Sequence, residues 1–267
     1  MPDRYAVIGN PVAHSRSPWI HARFALETGE DVAYESLLAP LDGFAATVAA
    51  FRAGGGKGVN VTLPFKEEAS ALSAHLSERA QAAHAVNTLL FTTAGIRGDN
   101  TDGYGLVRDL AVNQGFAISG RRVLLAGAGG AARGVLLPLL GERPSALVIA
   151  NRDVSKGRAL ASRFAGVSAC GYADLAGERF DLVINATSAG LADAALPLPR
   201  GIFLPGSLAY DMVYGRDTAF MRQARADGAG RAADGLGMLV EQAAESFFLW
   251  RGVRPGTAHV LADLRAA

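Results

Sequence analysis

Cysteine is almost missing from this chain: Cys170 is the only one. That excludes an internal disulfide and fits a reducing compartment. Lysine is nearly as scarce, with Lys57, Lys66 and Lys156 set against 23 arginines. A charge excess of either sign is also lacking. The formal net charge of +1 gives no electrostatic case for nucleic acid or an anionic membrane as partner. No apolar run is long enough to span a bilayer, and Met1-Pro2-Asp3-Arg4-Tyr5 lacks the basic-then-apolar run of a secretory leader, so a cytoplasmic location is expected. Repeats, low-complexity tracts and heptads are absent, and no His/Cys/Asp/Glu spacing suggests a metal site. What remains is 267 residues, 50% hydrophobic and 19% charged, which describes a soluble globular protein of one large or two ordinary domains.

The first hundred residues alternate strand and helix patterns. Tyr5–Gly9 reads as a strand ending in a Gly-Asn-Pro turn, and Pro18–Thr28 as a helix, with Ser17 as an available N-cap and Gly29 as its stop. Residues 33–38 and 58–63 read as strands, 44–54 and 67–76 as helices, and 88–92 with 95–98 as a hairpin. His75 and His84, in polar helical surroundings, read as surface residues. The pattern restarts with a helix over 102–113 and buried-type strands at 123–126, 146–150, 182–185 and 208–212, with helices over 130–140 and 156–164. Helices over 238–250 and 258–264 close the chain. Two α/β domains are expected: residues 1–101, with a mostly parallel sheet and completed by helices 238–267, and residues 102–237.

Three groups of residues carry chemistry. In Asn60-Val61-Thr62-Leu63-Pro64-Phe65-Lys66 a short apolar strand leads through proline into a helix start. A cation there opposes the helix dipole, so local stability does not explain Lys66, whereas a compact amine at that place suits proton transfer. Asn60 and Thr62 alternate along the strand and face the same way, toward the end where α/β proteins bind ligands. Second, Gly127-Ala128-Gly129-Gly130-Ala131-Ala132 follows a buried strand and opens an apolar helix. It places small residues at the three positions that permit a tight turn, close approach of a pyrophosphate, and helix–strand packing. Third, the next strand ends in Asn151-Arg152-Asp153 with Lys156 nearby. The acid that accepts the ribose hydroxyl of NAD is missing from the strand tip, and Arg152 with Lys156 forms a phosphate-sized positive patch, which favours NADP. Ser15 and Ser17 flank Arg16 before a helix, and one of them reads equally as its cap; Asn100-Thr101-Asp102-Gly103 precedes another helix and by itself reads more readily as a cap than as a site.

Taken together, these segments resemble the shikimate dehydrogenase family. The likeness runs through Gly9-Asn10-Pro11-Val12-Ala13-His14-Ser15-Arg16-Ser17-Pro18, the 60–66 segment, Ala85-Val86-Asn87-Thr88 and Gly98-Asp99-Asn100-Thr101-Asp102-Gly103. It continues through the glycine turn with Arg133, Asn185-Ala186-Thr187-Ser188, and Asp234-Gly235-Leu236-Gly237-Met238-Leu239. The resemblance implies a substrate domain followed by a Rossmann-type domain, and interconversion of 3-dehydroshikimate and shikimate with NADP(H) in chorismate and aromatic amino-acid biosynthesis. It further implies that Lys66 and Asp102 move the proton of the reacting hydroxyl. Ser15 and Ser17 would hold the carboxylate, with Asn60, Thr62, Asn87, Tyr214 and Gln242 around the ring hydroxyls. Cofactor contacts would come from Gly127, Ala128, Gly129, Gly130, Ala131, Asn151, Arg152, Asp153, Lys156, Thr187, Met212, Gly235 and Met238. The expected partner is a small-molecule substrate, the chain being a monomer or homodimer.

The chain departs from the family at two places. Where the family reads Asn-Arg-Thr with a further Arg, this chain has Asp153 and Lys156. A carboxylate there should repel a 2′-phosphate, and lysine does not reproduce the arginine fork. The segment Gly215-Arg216-Asp217-Thr218 lacks a proline often found in the family. Two alternatives follow: a quinate/shikimate dehydrogenase with relaxed NAD/NADP use, and a catalytically silent NADP-binding regulator. Retention of the Lys66 and Asp102 pair argues against the second.

Overall fold

A computed structural model describes residues 1–187, 189 and 193–266. The chain folds as two compact units, Met1–Gly105 with Leu239–Ala267, and Leu106–Met238.

The first unit is built on a six-stranded sheet ordered β2-β1-β3-β5-β6-β4, from β1 (Asp3–Gly9), β2 (Val32–Leu38), β3 (Gly56–Val61), β4 (His75–Leu76), β5 (Thr88–Thr92) and β6 (Gly95–Asp99). β1 pairs in parallel with β2 and β3, while the β5–β6 hairpin adds antiparallel to β3. Strand alternation divides the side chains between two layers. Ala6, Ile8, Val59 and Val61 face Phe44, Val48 and Phe51 of α2 (Phe44–Ala53) and Ala69 of α3 (Lys66–Leu72). On other elements, Phe24 of α1 (Ser17–Thr28) meets Phe247 of α9 (Leu236–Arg251) edge to face.

Several local expectations need correcting. Ser17 lies inside α1 and does not cap it; its N–H is instead received by the Ser15 hydroxyl at 3.2 Å. Gly29 closes that helix at a left-handed φ of 71°. β3 ends at Val61, and Pro64 sits in the turn after it, its peptide with Leu63 cis, so Lys66 is the first helical residue without proline at the helix start. α3 stops at Leu72 because Ser73 turns extended, and His75 pairs in β4. His84 is the left-handed cap of the short α4 (Glu78–Ala83), which the sequence pattern does not show because its six residues hold no apolar period.

The second unit has six strands, all parallel, ordered β12-β11-β10-β7-β8-β9. They are β7 (Arg122–Ala126), β8 (Ala146–Ala150), β9 (Val167–Cys170), β10 (Phe180–Asn185), β11 (Phe203–Asp211) and β12 (Arg231–Ala233). Read from the other end, this is the doubly wound order of dinucleotide-binding sheets, with its reversal between β7 and β10. Helices cover both faces, which is why the central strands are apolar throughout. Val123 and Leu125 pack toward Val135 and Leu136 of α6 (Gly130–Gly141), and Leu124 and Val183 toward Phe220 of α8 (Ala219–Ala226). The edge strands β9 and β12 are too short for apolar periodicity to show in the sequence, whereas α8 is strongly amphipathic and buries Phe220, Met221 and Ala224. Helix α5 (Asp102–Arg108) ends in a wider π-type turn over Asp109–Asn113. Helix α7 spans Val154–Ala161, and α10 (Ala258–Ala266) ends the described chain. Among the described residues no helix is long and apolar enough to cross a membrane.

His21 is the one buried histidine whose environment has a measurable consequence. Its ring is fully enclosed, stacked 4.2 Å from Tyr34 and edge-on to Phe24. Burial disfavours the imidazolium and lowers its pKa to about 3. An unfolded imidazole titrates near ~6.5, so between these values the unfolded chain binds a proton that the folded chain refuses. This contribution to stability is therefore intact above pH ~6.5 and lost as pH falls toward ~3, by up to ~1.4 kcal/mol per pH unit. His21→Phe should remove that acid dependence at a cost near neutrality below ~1.5 kcal/mol. Urea unfolding of both proteins at pH ~7, ~6 and ~5 checks this, since a stability difference independent of pH contradicts it.

Candidate functional site

In the first unit, strand register carries the polar residues to one end of the sheet. Ser15 and Ser17 follow β1, Thr62 and Lys66 follow β3, Asn87 precedes β5, and Asp102 comes three residues after the end of β6. Thr88 pairs with Asn60 on one side and Asp99 on the other, so the start of β5 and the end of β6 lie together beside the end of β3.

The side chains there form one hydrogen-bonded web. Lys66 Nζ donates to Asp102 Oδ2 at 2.6 Å, with the lysine 24% and the aspartate 12% exposed, so the pair is reachable from solvent without being dissolved in it. Asn87 Nδ2 donates to the other Asp102 oxygen, Oδ1, at 2.8 Å, and to Thr101 Oγ1 at 2.9 Å. That bond turns Oδ2 toward the lysine. Gln242 of α9 accepts weakly from Asn87 and Thr101, both at 3.4 Å. Asn60 Nδ2 donates to Asn87 O, Thr88 Oγ1 and Ser246 Oγ, so its amide protons are spent on the interior. Its oxygen accepts from the Tyr34 phenol at 2.8 Å. Burial pushes the Tyr34 pKa well above the usual tyrosine range, the nearby Ser17 hydroxyl partly offsetting it. Thr62 leaves β3 with its N–H on Ile8 O at 2.9 Å.

The structure thus joins Lys66, Asp102, Asn87, Gln242 and Asn60 directly, and brings Ser17 to the same web through Tyr34. Sequence reading misses Tyr34, Thr88 and Ser246. Each looks like an ordinary strand or helix residue, and only tertiary pairing gives it a polar partner.

In the second unit the glycine turn follows β7 at the sheet's order reversal. Gly127 has φ +113°, and a side-chain carbon there would lie 3.0 Å from Ala186 O and 3.2 Å from the Thr187 methyl. The turn therefore fits only glycine and sits against Thr187. Around Gly129 nothing lies within 4 Å of where a side chain would begin, and Gly129, Gly130 and Ala131 are exposed at the open first turn of α6. An open cradle with unsatisfied N–H groups fits a pyrophosphate. At the tip of β8, Asn151 Nδ2 holds the Asp153 carbonyl at 2.8 Å. Asp153 itself caps α7: its Oδ1 accepts Ser155 N at 3.1 Å and Ser155 Oγ at 2.6 Å. The Ser155 hydroxyl, with help from Lys156, lowers the Asp153 pKa. One carboxylate oxygen is thus engaged at the helix start, and Asp153, Arg152 and Lys156 are all exposed.

Thr187 is held by its N–H and hydroxyl on Asn185 Oδ1, and Asn185 reaches the buried Asp211, which also receives the Thr218 hydroxyl and Val213 N. Gly235 N donates to Val213 O, which brings Met212 and the half-exposed Tyr214 near Gly235, while Met238 is buried in the core. Ser188 lies outside the described residues.

A parallel sheet wound in the dinucleotide order, with a glycine cradle at its switch point and a separate unit bearing a lysine–carboxylate pair, defines a nicotinamide-dependent oxidoreductase of two α/β units. Comparison with known proteins makes this particular. The model of the shikimate dehydrogenase substrate binding domain matches residues 7–89, that of shikimate / quinate 5-dehydrogenase matches 109–192, and that of the shikimate 5'-dehydrogenase C-terminal domain matches 235–265. A shikimate dehydrogenase (NADP(+)) of Dechloromonas aromatica is 62% identical over 270 residues, covering 100% of this chain and 98% of the relative. The crystal structure of an Ael1 enzyme from Pseudomonas putida is 50% identical, with a TM-score of 0.95 over 98% of each chain. Shikimate 5-dehydrogenase of Thermus thermophilus, solved in complex with NADP(H) and shikimate, is 35% identical, with a TM-score of 0.88 over 99% of each chain. The chain belongs to the shikimate dehydrogenase family.

Replacing Gly127 with alanine should strain the turn against Ala186 and Thr187, costing about 1–3 kcal/mol. Thermal or denaturant unfolding of Gly127→Ala measures this, and an unchanged midpoint would show that the turn relaxes freely.

Proposed function

We propose that this chain is an NADP-dependent shikimate dehydrogenase whose proton transfer rests on Lys66 and Asp102. It interconverts 3-dehydroshikimate and shikimate in the biosynthesis of chorismate and the aromatic amino acids. The observation that carries the site reading is the 2.6 Å contact of Lys66 Nζ with Asp102 Oδ2 among otherwise fully committed amides.

The nicotinamide, when bound, takes up or gives back the hydride at the ring carbon that carries the reacting hydroxyl. This chain's residues supply the rest. In the oxidation direction the hydroxyl proton passes to the Lys66–Asp102 pair as the carbonyl forms. In reduction the pair returns a proton to the developing alkoxide, which the ammonium stabilises. Asn87 holds Asp102 so that one oxygen stays directed at Lys66. Asn60, its N–H groups spent, offers a substrate hydroxyl only its oxygen, and so orients the ring as an acceptor. Ser15 and Ser17 donate hydroxyls to the ring carboxylate, and Thr62, Tyr214 and Gln242 line the remaining hydroxyl positions. In the second unit the first turn of α6 takes the pyrophosphate, with Thr187, Met212, Gly235 and Met238 toward the nicotinamide. Arg152, with Asn151 and Lys156, takes the 2′-phosphate. Asp153 acts there as a cap, so its charge is balanced by the helix start it serves. We place the reaction in the cytoplasm, where a lone cysteine stays reduced.

Lys66→Ala should cut turnover at least ~10²-fold with substrate KM changed far less. Steady-state rates with shikimate and quinate, each with NADP and NAD, test both the residue and the substrate. Near-normal turnover in the variant removes Lys66 from the chemistry.

Arg152→Ala should lower the preference for NADP over NAD by ~10–100-fold, the range for a lost hydrogen bond to a charged group. Asp153→Thr keeps a capping oxygen and should leave that preference within ~3-fold. A large gain in NADP affinity on Asp153→Thr would show instead that the carboxylate repels the phosphate.

A further inference from the structure

A chain of four alternating charges lies behind the polar web of the first unit, and the chemistry proposed above makes no use of it. Asp99, at the end of β6, has a side chain only 5% exposed. Its Oδ1 accepts Arg79 Nε at 2.6 Å, Ser77 Oγ at 2.6 Å and Asn100 N at 2.7 Å, and its Oδ2 accepts Arg79 Nη2 at 3.2 Å. The same Nη2 donates to Glu245 Oε1 of α9 at 2.9 Å, and Glu245 Oε2 receives Arg254 Nη2 at 2.7 Å. Tyr104, two residues after Asp102, presents its ring to both guanidinium groups, at 5.9 Å from Arg79 and 5.1 Å from Arg254.

Stability alone explains this arrangement poorly. Removing two carboxylates and a guanidinium from water is costly, and apolar side chains of similar volume often do as well. What a forked, charged contact provides is direction: Arg79 grips both oxygens of Asp99 in one plane. The segment so fixed leads directly to Asp102. Asn100 is tied by its N–H to Asp99 and by its side-chain Nδ2 to Ala85 O; its Oδ1 in turn receives Asp102 N. Thr101 N is held by Asn87 Oδ1. Every backbone N–H from 100 to 102 is therefore pinned by a side-chain oxygen, and the first of those oxygens is the only charged one.

We infer that Arg79, acting through Asp99, is a positioning residue that sets the place of Asp102 opposite Lys66. The inference rests on the reading of Lys66 and Asp102 as the proton-transferring pair. Without Arg79, Glu245 keeps Arg254, while Asp99 is left a buried carboxylate with no cation, held only by Ser77 Oγ and Asn100 N. Asp99 then rotates toward solvent and loosens Asn100 N. A displacement of about 1 Å in a group that moves a proton is enough to cost up to ~10²-fold in rate.

The test compares Arg79→Met, Arg79→Lys and Asp102→Asn, each first shown to be folded by circular dichroism and to titrate fully with NADP by fluorescence. Arg79→Met should lose at least ~10-fold in kcat while the KM values for shikimate and NADP stay within ~3-fold, because no residue assigned to substrate or cofactor is replaced. Arg79→Lys should recover part of kcat, since an ammonium still pairs with Asp99 as a point charge without the fork. Full kcat in folded Arg79→Met overturns the inference, as does a loss of kcat matched by equal losses in both KM values. Asp102→Asn separates the two levels. If it is inactive while Arg79→Met is active, only the positioning role falls; if it keeps full turnover, the proton-pair reading falls with it.

Discussion

The first unit is organised around the amide of Asn87, which uses both protons and both lone pairs. Its nitrogen serves Thr101 Oγ1 and Asp102 Oδ1, and its oxygen receives Thr101 N and Thr88 Oγ1, all at 2.8–2.9 Å. An amide so committed has one orientation, because turning it over would set donor against donor at Thr101 N. Through it the start of β5 fixes the segment carrying Asp102, and through Thr88 and Ser246 it reaches Asn60 and α9. The buried 3% exposure of Asn87 makes each of these bonds expensive to lose.

The second unit solves a parallel problem with Asp211 at the end of β11. Its buried carboxylate receives Asn185, Thr218 and the N–H of Val213, so one charged group ties the end of β10 to the turn after β11. Thr187 then stands against Gly127, and the glycine turn keeps its shape because the neighbouring strand leaves room for no side chain. In each unit a sheet supplies the ends of several strands at one place, and a fully bonded polar residue ties the described residues there together. A hydride-transferring enzyme requires a geometry that is ready before the substrate arrives.

Asp153 shows how much the partners of a residue add to its type. As a letter beside Arg152 it reads as repulsion toward a phosphate. In the fold one of its oxygens is also bonded to the backbone and hydroxyl of Ser155, at the start of α7. Ser17 shows it too: it reads as a helix cap, yet it stands inside α1 with its hydroxyl beside the Tyr34 phenol.

The central strands 123–126, 146–150 and 182–185 were legible because a strand buried on both faces must be apolar throughout, and the glycine turn because its backbone conformation excludes side chains. Lys66 stood out for a local reason, as a cation that opposes its own helix start, whereas Asp102 reads locally as a helix cap and was marked only by the family resemblance. The short edge elements β4, β9, β12 and α4 were not legible, because few of their residues are buried and periodicity has too little length to appear. By itself the sequence determined the two α/β patterns, the turn chemistry and the set of polar residues. Only the tertiary structure decided which of those polar groups meet. Asn60, Asn87 and Ser246 are separated by up to 186 positions, and hydrogen bonds across such distances follow from strand register and helix packing, which no local window contains.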